Sequence, residues 1–261
     1  MNDKQKIAEL YDVSVQDWPG EIQFYRDYVS GIEENDKNVL EIACGTGRVT
    51  LQLATPEISI VGFDISLEEL DIARKKSDGV LNLEFVYADM RSFQLNRRFP
   101  LIIIPGHSFQ ALVTIEDQLL SLKMIARHLS HYGKLVIHVN HDTLTWLAEK
   151  SHDGKDPNPE IRRIIHPRTK NVVSRSLQWQ FKPAEQTAFA VSYWKEIDKT
   201  GAVVDEWSSG PNAFHVFFPF EMNHLLRRAG YKVNQVYGDF HKNPLTDNSP
   251  EMIWVVQLDH L

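Results

Sequence analysis

Short apolar runs alternate with amphipathic segments over the first half of the chain. Five runs rich in Val, Ile and Leu predict buried strands, at residues 38–43, 58–63, 83–87, 101–104 and 134–140. Segments with helical spacing of apolar positions precede or separate them, at residues 20–33, 46–54, 67–77 and 115–130. This alternation predicts an α/β fold, in which crossover helices cover a largely parallel sheet.

The pattern changes in the second half of the chain. Residues 151–160 are polar and contain several Pro and Gly, which is typical of a linker. From about 161 to 218 apolar and polar side chains alternate as they do on antiparallel strands, for example Trp179 and Phe181 against Gln178 and Gln180. A helix beginning at Pro219 and two strands, 231–237 and 252–258, follow. We therefore expect a core of residues 1–150 and 219–261 and an inserted β-meander at 151–218.

Composition and charge exclude several classes of protein. The formal net charge is −7 and the basic residues form no stripe, which argues against binding to nucleic acid. The one cysteine cannot form an intrachain disulfide, as expected in a reducing compartment. The N-terminal residues lack the apolar region of a secretory signal, and the longest apolar runs are too short to span a bilayer. We expect a cytoplasmic protein that does not bind membranes.

A glycine loop follows the first predicted strand. The segment from Glu41 to Arg48 reads E-I-A-C-G-T-G-R, and it lies where open α/β sheets bind their ligands. Thr50 occupies the position of the third glycine in a dinucleotide fingerprint, and no phosphate-binding Gly-Lys-Ser/Thr is present. An acid and two glycines suit a zwitterionic cofactor such as S-adenosylmethionine, whose ammonium Glu41 could orient directly or through the loop and water. Alternatively, Glu41 caps the turn and the glycines only tighten it.

Two further acids end the next two strands. Asp64 follows the run 58–63, where a carboxylate can accept both hydroxyls of a ribose. Asp89 follows the third strand, where a carboxylate can accept the amino group of an adenine while Met90 packs on the ring. Either acid alone is typical of a helix cap or a turn. Acids at three successive strand ends instead favour one shared ligand site.

The segments E-I-A-C-G-T-G, G-F-D-I-S and A-D-M-R resemble the class I, Rossmann-like methyltransferases that depend on S-adenosylmethionine. The resemblance covers roughly residues 37–140 and, more weakly, 219–258. It implies a seven-stranded mixed sheet of order 3-2-1-4-5-7-6 with the seventh strand antiparallel. Ala43 departs from the family, which often has glycine there, and it fits if its φ is negative. Pro100-Leu101 also departs, because an acid often opens the fourth strand of the family.

The resemblance also implies which residues contact the cofactor. Aromatic residues near the N-terminus look like the lid segment of small-molecule members, although each of them could equally pack the helices onto the sheet. The predicted cofactor contacts are Tyr11, Trp18, Tyr25, Glu41, Ala43, Cys44, Gly45, Gly47, Arg48, Asp64, Ile65, Ala88, Asp89, Met90, Pro105 and Gly106.

Two histidines are candidates for a catalytic base. His107 lies in the loop after the fourth strand, and His141 follows the fifth. An amine must be neutral before it can be methylated, and a histidine can take its proton near pH 7. Either side chain could instead be structural. His138 and His141 lie on opposite faces of a strand, and no cluster has zinc spacing, so we predict no metal.

These features predict an enzyme that passes a methyl group to a nitrogen or oxygen of a small molecule. The insert resembles in position the extra sheet of sugar N-methyltransferases, which covers the acceptor pocket and can form a homodimer surface. The alternatives are an RNA or protein methyltransferase, which the acidic charge and the lack of an N/D-P-P-Y/F motif disfavour, and a non-catalytic module that binds the cofactor. A nicotinamide dehydrogenase is a more distant alternative, because the third glycine is absent.

Overall fold

The helices and strands follow one another in nearly the order that the apolar pattern predicts. The computed structural model describes residues 1–16, 18–33, 37–152 and 156–259, so residues 153–155 of the predicted linker lie outside the described residues. The elements are α1 (Asp3–Ser14), α2 (Glu21–Ser30), β1 (Asn38–Ile42), α3 (Thr50–Leu53), β2 (Ser59–Asp64), α4 (Leu67–Lys76), β3 (Leu83–Tyr87), β4 (Phe99–Ile104), α5 (Ile115–His128), β5 (Leu129–Asn140), α6 (Leu144–Lys150), β6 (Glu160–Ile165), β7 (Val172–Lys182), β8 (Thr187–Ile197), β9 (Val203–His215), α7 (Pro219–Arg228), β10 (Tyr231–Tyr237) and β11 (Glu251–Leu258).

The chain forms two compact units. One consists of Met1–Asp17 and Asp142–Val216, and the other of Trp18–His141 and Phe217–Leu261. The first therefore includes α1 and α6 as well as the predicted meander. All the predicted site residues except Tyr11 belong to the second unit.

The second unit is built on a seven-stranded sheet of order β10-β11-β5-β4-β1-β2-β3. Strands β1 to β5 run parallel to one another, whereas β11 is antiparallel to both β5 and β10. This topology confirms the predicted order 3-2-1-4-5-7-6. Because β11 runs in the opposite direction, Glu251 at its start pairs with Asn140 at the end of β5. The first residue of β11 thus lies at the edge where the parallel strands end.

A hydrophobic core stabilises the second unit, and the residues at the ends of its helices determine where each helix begins and ends. Leu40, Ile102 and Ile137 are fully buried on adjacent strands. The Ser66 side chain caps the start of α4 by accepting the N–H of Glu69 at 3.3 Å. The helix predicted over residues 115–130 ends at His128, and the strand predicted from residue 134 already begins at Leu129. Burial of Leu129 opposite Phe99 holds this segment extended.

The helix after the glycine loop is also shorter than the sequence predicts. It covers Thr50–Leu53 rather than residues 46–54. Gly47 has a φ of 75° and donates its N–H to the Cys44 carbonyl at 2.9 Å. A residue in the left-handed conformation cannot continue a right-handed helix, so the loop continues past Gly47 and α3 begins only at Thr50.

The first unit contains a four-stranded antiparallel sheet of order β6-β7-β8-β9, which confirms the predicted meander. The sequence predicts one apolar face for β8, formed by Phe189, Val191 and Tyr193. Phe189 and Val191 instead pair with polar positions of β7 and are only partly buried, and Tyr193 is exposed, whereas Ala190 and Trp194 are buried on the opposite face. The small residues Ala188, Ala190 and Ser192 occupy most of the buried positions, so the apolar pattern does not identify the buried face of β8.

Among the described residues, no helix combines the length and the apolar character that are needed to cross a membrane.

Candidate cofactor and catalytic site

The glycine loop leaves β1 through three residues in the left-handed region. Ala43, Gly45 and Gly47 have φ values of 57°, 54° and 75°. The expectation of a negative φ at Ala43 is therefore wrong. Its Cβ costs about 1–2 kcal/mol in this conformation. The hydrogen bond from the Cys44 N–H to the Phe63 carbonyl, at 3.0 Å, helps to hold the loop against β2 in spite of that cost.

Asp64 connects the loop to the end of β2. Its Oδ2 accepts the Gly45 N–H at 2.8 Å, and its Oδ1 accepts the Ser66 N–H at 2.8 Å. Burial raises the pKa of Asp64, and these two backbone hydrogen bonds oppose that effect. Each carboxylate oxygen can accept a second hydrogen bond. Asp64 is thus fixed in place and still able to bind a pair of hydroxyl groups.

A cavity of about 210 Å³ opens beside Asp64. Six of its lining residues are predicted cofactor contacts, namely Ala43, Asp64, Ile65, Ala88, Asp89 and Met90. The structure adds Phe63, Arg91, Ala111, Leu112 and Asp117. The walls are therefore mainly apolar, with carboxylates at fixed positions, which suits a flat heterocycle linked to a sugar.

Arg91 is a cavity residue that the sequence does not single out. Its guanidinium contacts both oxygens of Asp89, at 2.6 Å for the shortest contact, and reaches Asp117 at 3.2 Å. This contact holds the pKa of Asp89 below its usual value. Asp89 is thus anionic. An adenine amino group would donate to a carboxylate that also accepts hydrogen bonds from Arg91.

Glu41 does not line this cavity. It is only 2% exposed, and its Oε2 accepts the hydroxyl of Thr50 at 2.6 Å, which joins β1 to α3. Burial raises the pKa of Glu41 to about 8. The direct contact with a cofactor ammonium that we considered is therefore not supported by this arrangement. Cys44 is also buried, and its burial raises the pKa of its thiol.

The Arg48 guanidinium lies over the Trp18 ring. The Arg48 guanidinium binds the carboxylate of Glu21 through two nitrogens and lies 5.0 Å from the centre of the Trp18 ring. The Trp18 indole N–H donates to Glu251 Oε1 at 2.9 Å. Tyr25 is fully buried, burial raises its pKa, and its hydroxyl has no hydrogen-bond partner among the described residues. A buried hydroxyl of this kind is unusual without a partner.

Two histidines and a carboxylate meet at the ends of β4, β5 and β11. His107 Nε2 lies 2.7 Å from Glu251 Oε2, and His138 Nε2 lies 2.8 Å from the same oxygen. The two Nε2 atoms are 3.0 Å apart. His107 itself has a φ of 64°, a left-handed conformation that is uncommon for histidine. The structure thus brings one predicted catalytic residue together with two residues that sequence reasoning missed.

One backbone contact and the contacts with Glu251 define which nitrogen of each histidine carries the proton. The Gly106 N–H donates to His138 Nδ1 at 3.3 Å, so the ring proton of His138 is on Nε2 and points to Glu251. Burial, and then the neighbouring His107, lower the pKa of His138 to about 4, so this ring is neutral. The pKa of Glu251 is lowered to about 2, because hydrogen bonds from His107 and His138 outweigh burial. A carboxylate 2.7 Å from His107 Nε2 requires a proton there, which leaves Nδ1 as the basic atom.

The same three side chains have the composition of a divalent metal site. A metal ion at this site would bind through the lone pairs of both Nε2 atoms. Because the Gly106 N–H occupies the lone pair of His138 Nδ1, the ring proton of His138 is on Nε2, and this nitrogen has no lone pair to offer a metal. We therefore assign the cluster to a proton network, and the absence of a metal stays a prediction.

The remaining predicted residues are placed as follows. His141 donates from Nδ1 to the Ser249 carbonyl at 2.8 Å and does not contact a carboxylate in the described residues. Pro105 accepts the hydroxyl of Ser108 at 2.9 Å and so shapes the loop that carries His107. Tyr11 lies half-buried on α1 of the first unit.

Comparisons with known proteins agree with this geometry. A family model described as a methyltransferase domain matches residues 39–133. The chain is 28% identical to YqeM of Bacillus subtilis (strain 168), provisionally named a methyltransferase, over 249 residues that span 94% of this chain and 91% of that protein. It is 31% identical to the dTDP-3-amino-3,6-dideoxy-alpha-D-glucopyranose N,N-dimethyltransferase of Streptomyces fradiae over 137 residues, 51% of this chain and 52% of the relative.

A solved structure shows the same fold. CalS10, an amino pentose methyltransferase of Micromonospora echinaspora solved with S-adenosylmethionine bound, matches 94% of this chain and 93% of its own length, with a TM-score of 0.69 at 19% identity. The strand order, the glycine loop and these matches together identify the chain as a class I, Rossmann-like methyltransferase that depends on S-adenosylmethionine.

Proposed function

We propose that this enzyme methylates an amino nitrogen of a small molecule. The observation that carries the proposal is the 2.7 Å contact between His107 Nε2 and Glu251 Oε2, which leaves His107 Nδ1 as a base. Two similar proteins, one at 31% and one at 19% identity, are named as methyltransferases of amino sugars. Their names support an amine as the acceptor class.

The chemistry explains why a base is useful. S-adenosylmethionine supplies an electrophilic methyl group on sulfonium. Most aliphatic amines are protonated at neutral pH, so the attacking nitrogen must first lose a proton. His107 Nδ1 accepts that proton, and the Glu251 carboxylate stabilises the resulting imidazolium through the bond from Nε2–H. A carboxylic acid acceptor needs no such base, because it is already ionised.

The protein's other residues hold the cofactor in this proposal. Asp64 binds the ribose hydroxyls, and Asp89 binds the adenine amino group in the cavity of about 210 Å³. The Tyr25 hydroxyl donates to the amino-acid end. Holding both reactants in line for displacement supplies much of the rate in a methyl transfer.

A panel of acceptors tests the proposal. Purified enzyme is incubated with S-adenosylmethionine and with amino sugars, other small amines, neutral sugars and carboxylic acids, and S-adenosylhomocysteine is quantified by mass spectrometry. We expect turnover only with amines. Turnover confined to carboxylic acids or hydroxyl groups, or none with any amine of a broad panel, would contradict the proposal.

Variants then test the base. Changing His107→Gln keeps a donor to Glu251 but removes the basic nitrogen, so we expect kcat/KM to fall by about 10²–10⁴-fold. His141→Gln tests the second candidate, and we expect a smaller loss, since the ring is held by a carbonyl rather than a carboxylate. His224→Gln, on an exposed position of α7, is the matched control and should retain activity.

A further inference from the structure

Glu251 receives three N–H groups from three different segments of the chain. Its Oε1 accepts from Trp18 at 2.9 Å, and its Oε2 accepts from His107 at 2.7 Å and from His138 at 2.8 Å. The residue is only 5% exposed. A carboxylate with this many donors is fixed in position and favoured in its charged form.

We propose that Glu251, held by His138 and Trp18, is a positioning residue that keeps His107 in the Nε2–H form and stabilises its cation. This inference rests on the proposed function and deepens it, because it explains how the loop after β4 presents a base. Glu251 acts through His107, and it takes no proton from the acceptor. His138 is likewise a positioning residue rather than a second base.

The neutral state of His138 is essential to this arrangement. A neutral Nε2–H donor orients Glu251 without cancelling its negative charge, so the charge remains available to His107. The Gly106 N–H fixes the His138 tautomer, and Gly106 immediately precedes His107 in the chain. One backbone amide therefore connects the loop that carries the base to the strand that orients its carboxylate.

The other charged groups around the cluster leave the negative charge of Glu251 available to His107. Arg48 lies over the Trp18 ring, but it is paired with Glu21 through two contacts. The Trp18 ring meets the two imidazoles edge-on, with centroids at 5.2 and 5.3 Å. Phe240 packs against His138 on a further side at 4.8 Å. Among the described residues, the titratable groups that contact His107 are His138 and Glu251, and Arg48 and Tyr25 interact with the cluster electrostatically from further away.

Nitrogen NMR of the protein labelled with ¹⁵N-histidine tests the proposal without turnover. In the wild type we expect the His107 ring to show the shift pattern of Nε2–H with a basic Nδ1. In Glu251→Gln and in His138→Gln we expect a mixture of tautomers, because the carboxylate is lost or misplaced. Glu116→Gln, on an exposed position of α5, should leave the pattern unchanged. A His107 ring in the Nδ1–H form, or one unaffected by Glu251→Gln, would overturn the proposal.

Two further measurements separate this role from simple structural support. With an amine acceptor, Glu251→Gln should lower kcat by about tenfold or more and change its pH profile, while the Kd for S-adenosylmethionine stays within about threefold. Equal losses in cofactor affinity and kcat with an unchanged pH profile would contradict it. If the NMR result holds and no amine is methylated, only the proposed function fails.

A titration with Co²⁺ distinguishes protons from a metal in the same cluster. We expect no absorption band of bound cobalt at near-stoichiometric concentration. A band that appears in the wild type and disappears in His138→Gln would show that the three side chains are metal ligands and would overturn the proposal.

Discussion

Asp64 accepts the backbone N–H of Gly45 at 2.8 Å, so the acid that ends β2 closes the glycine turn that follows β1. The other oxygen of Asp64 accepts the N–H of Ser66, which is also the cap of α4. One carboxylate thereby ties together the loop, the strand end and the following helix. It also lines the cavity in which we place the ribose.

Asp64→Asn tests this double role. An amide offers one acceptor oxygen where the carboxylate offers two, so one backbone bond and at least one ribose bond are lost. We expect binding of S-adenosylmethionine to weaken by about 1–3 kcal/mol, which is roughly 5–150-fold in Kd, by calorimetric titration. Asp78→Asn, on the exposed turn after α4, is the matched control. Equal affinities of the Asp64 variant and the wild type would show that Asp64 does not hold the cofactor.

Ala43→Gly tests the strain in the loop. Ala43 has a φ of 57°, so glycine relieves about 1–2 kcal/mol in the folded state. Glycine also gives the unfolded chain more freedom, which offsets about 0.4–1 kcal/mol of that gain. We expect the free energy of unfolding in urea to stay the same or to rise by about 1 kcal/mol. Ala126→Gly, within α5, should lower it by about 1 kcal/mol. A comparable loss for both variants would contradict the assignment of strain to Ala43.

Glu41→Gln tests the burial of the acid at the end of β1. Burial raises the pKa of Glu41 to about 8, from an ordinary 4.5. The folded protein thus retains a proton that the unfolded chain releases, and the contribution of this group to stability falls as the pH rises from about 4.5 to about 8. The slope is at most about 1.4 kcal/mol per pH unit. Glutamine still accepts from Thr50 and does not titrate, so the variant should lack this slope.

Urea unfolding of both proteins at pH 5.5, 6.5 and 7.5 gives the comparison. Other groups titrate in the same range, so the informative quantity is the difference between the two proteins. We expect Glu41→Gln to gain stability relative to the wild type as the pH rises. Parallel pH dependences would mean that Glu41 is ionised in the folded protein.

The acids at the strand ends were predictable because parallel strands end at a common edge of a sheet. Asp64 and Asp89 each follow an apolar run, and adjacent β2 and β3 bring both to one cavity. The role of Glu41 was not predictable in the same way. Its position at the strand end follows from the sequence, but the direction of its side chain, toward Thr50, depends on packing against α3.

The histidine cluster could not be derived from spacing. His138 and Glu251 are 113 residues apart, and the antiparallel register of β5 and β11 brings them together. One signal was present, since His138 interrupts the apolar run 134–140 and a buried histidine requires a partner. The sequence does not say which partner. Likewise, no pattern indicates that Arg91 connects Asp89 to Asp117.

In the proposed mechanism the ends of β1, β2 and β3 hold the adenosyl part of the cofactor while the loop after β4 presents His107. A crystal structure with bound S-adenosylhomocysteine is the decisive measurement. We expect Asp64 to contact the ribose hydroxyls, Asp89 to contact the adenine amino group, and the space beside the sulfur to face His107. An adenosyl group bound elsewhere, or an Asp64 side chain turned away from it, would show that this arrangement is wrong.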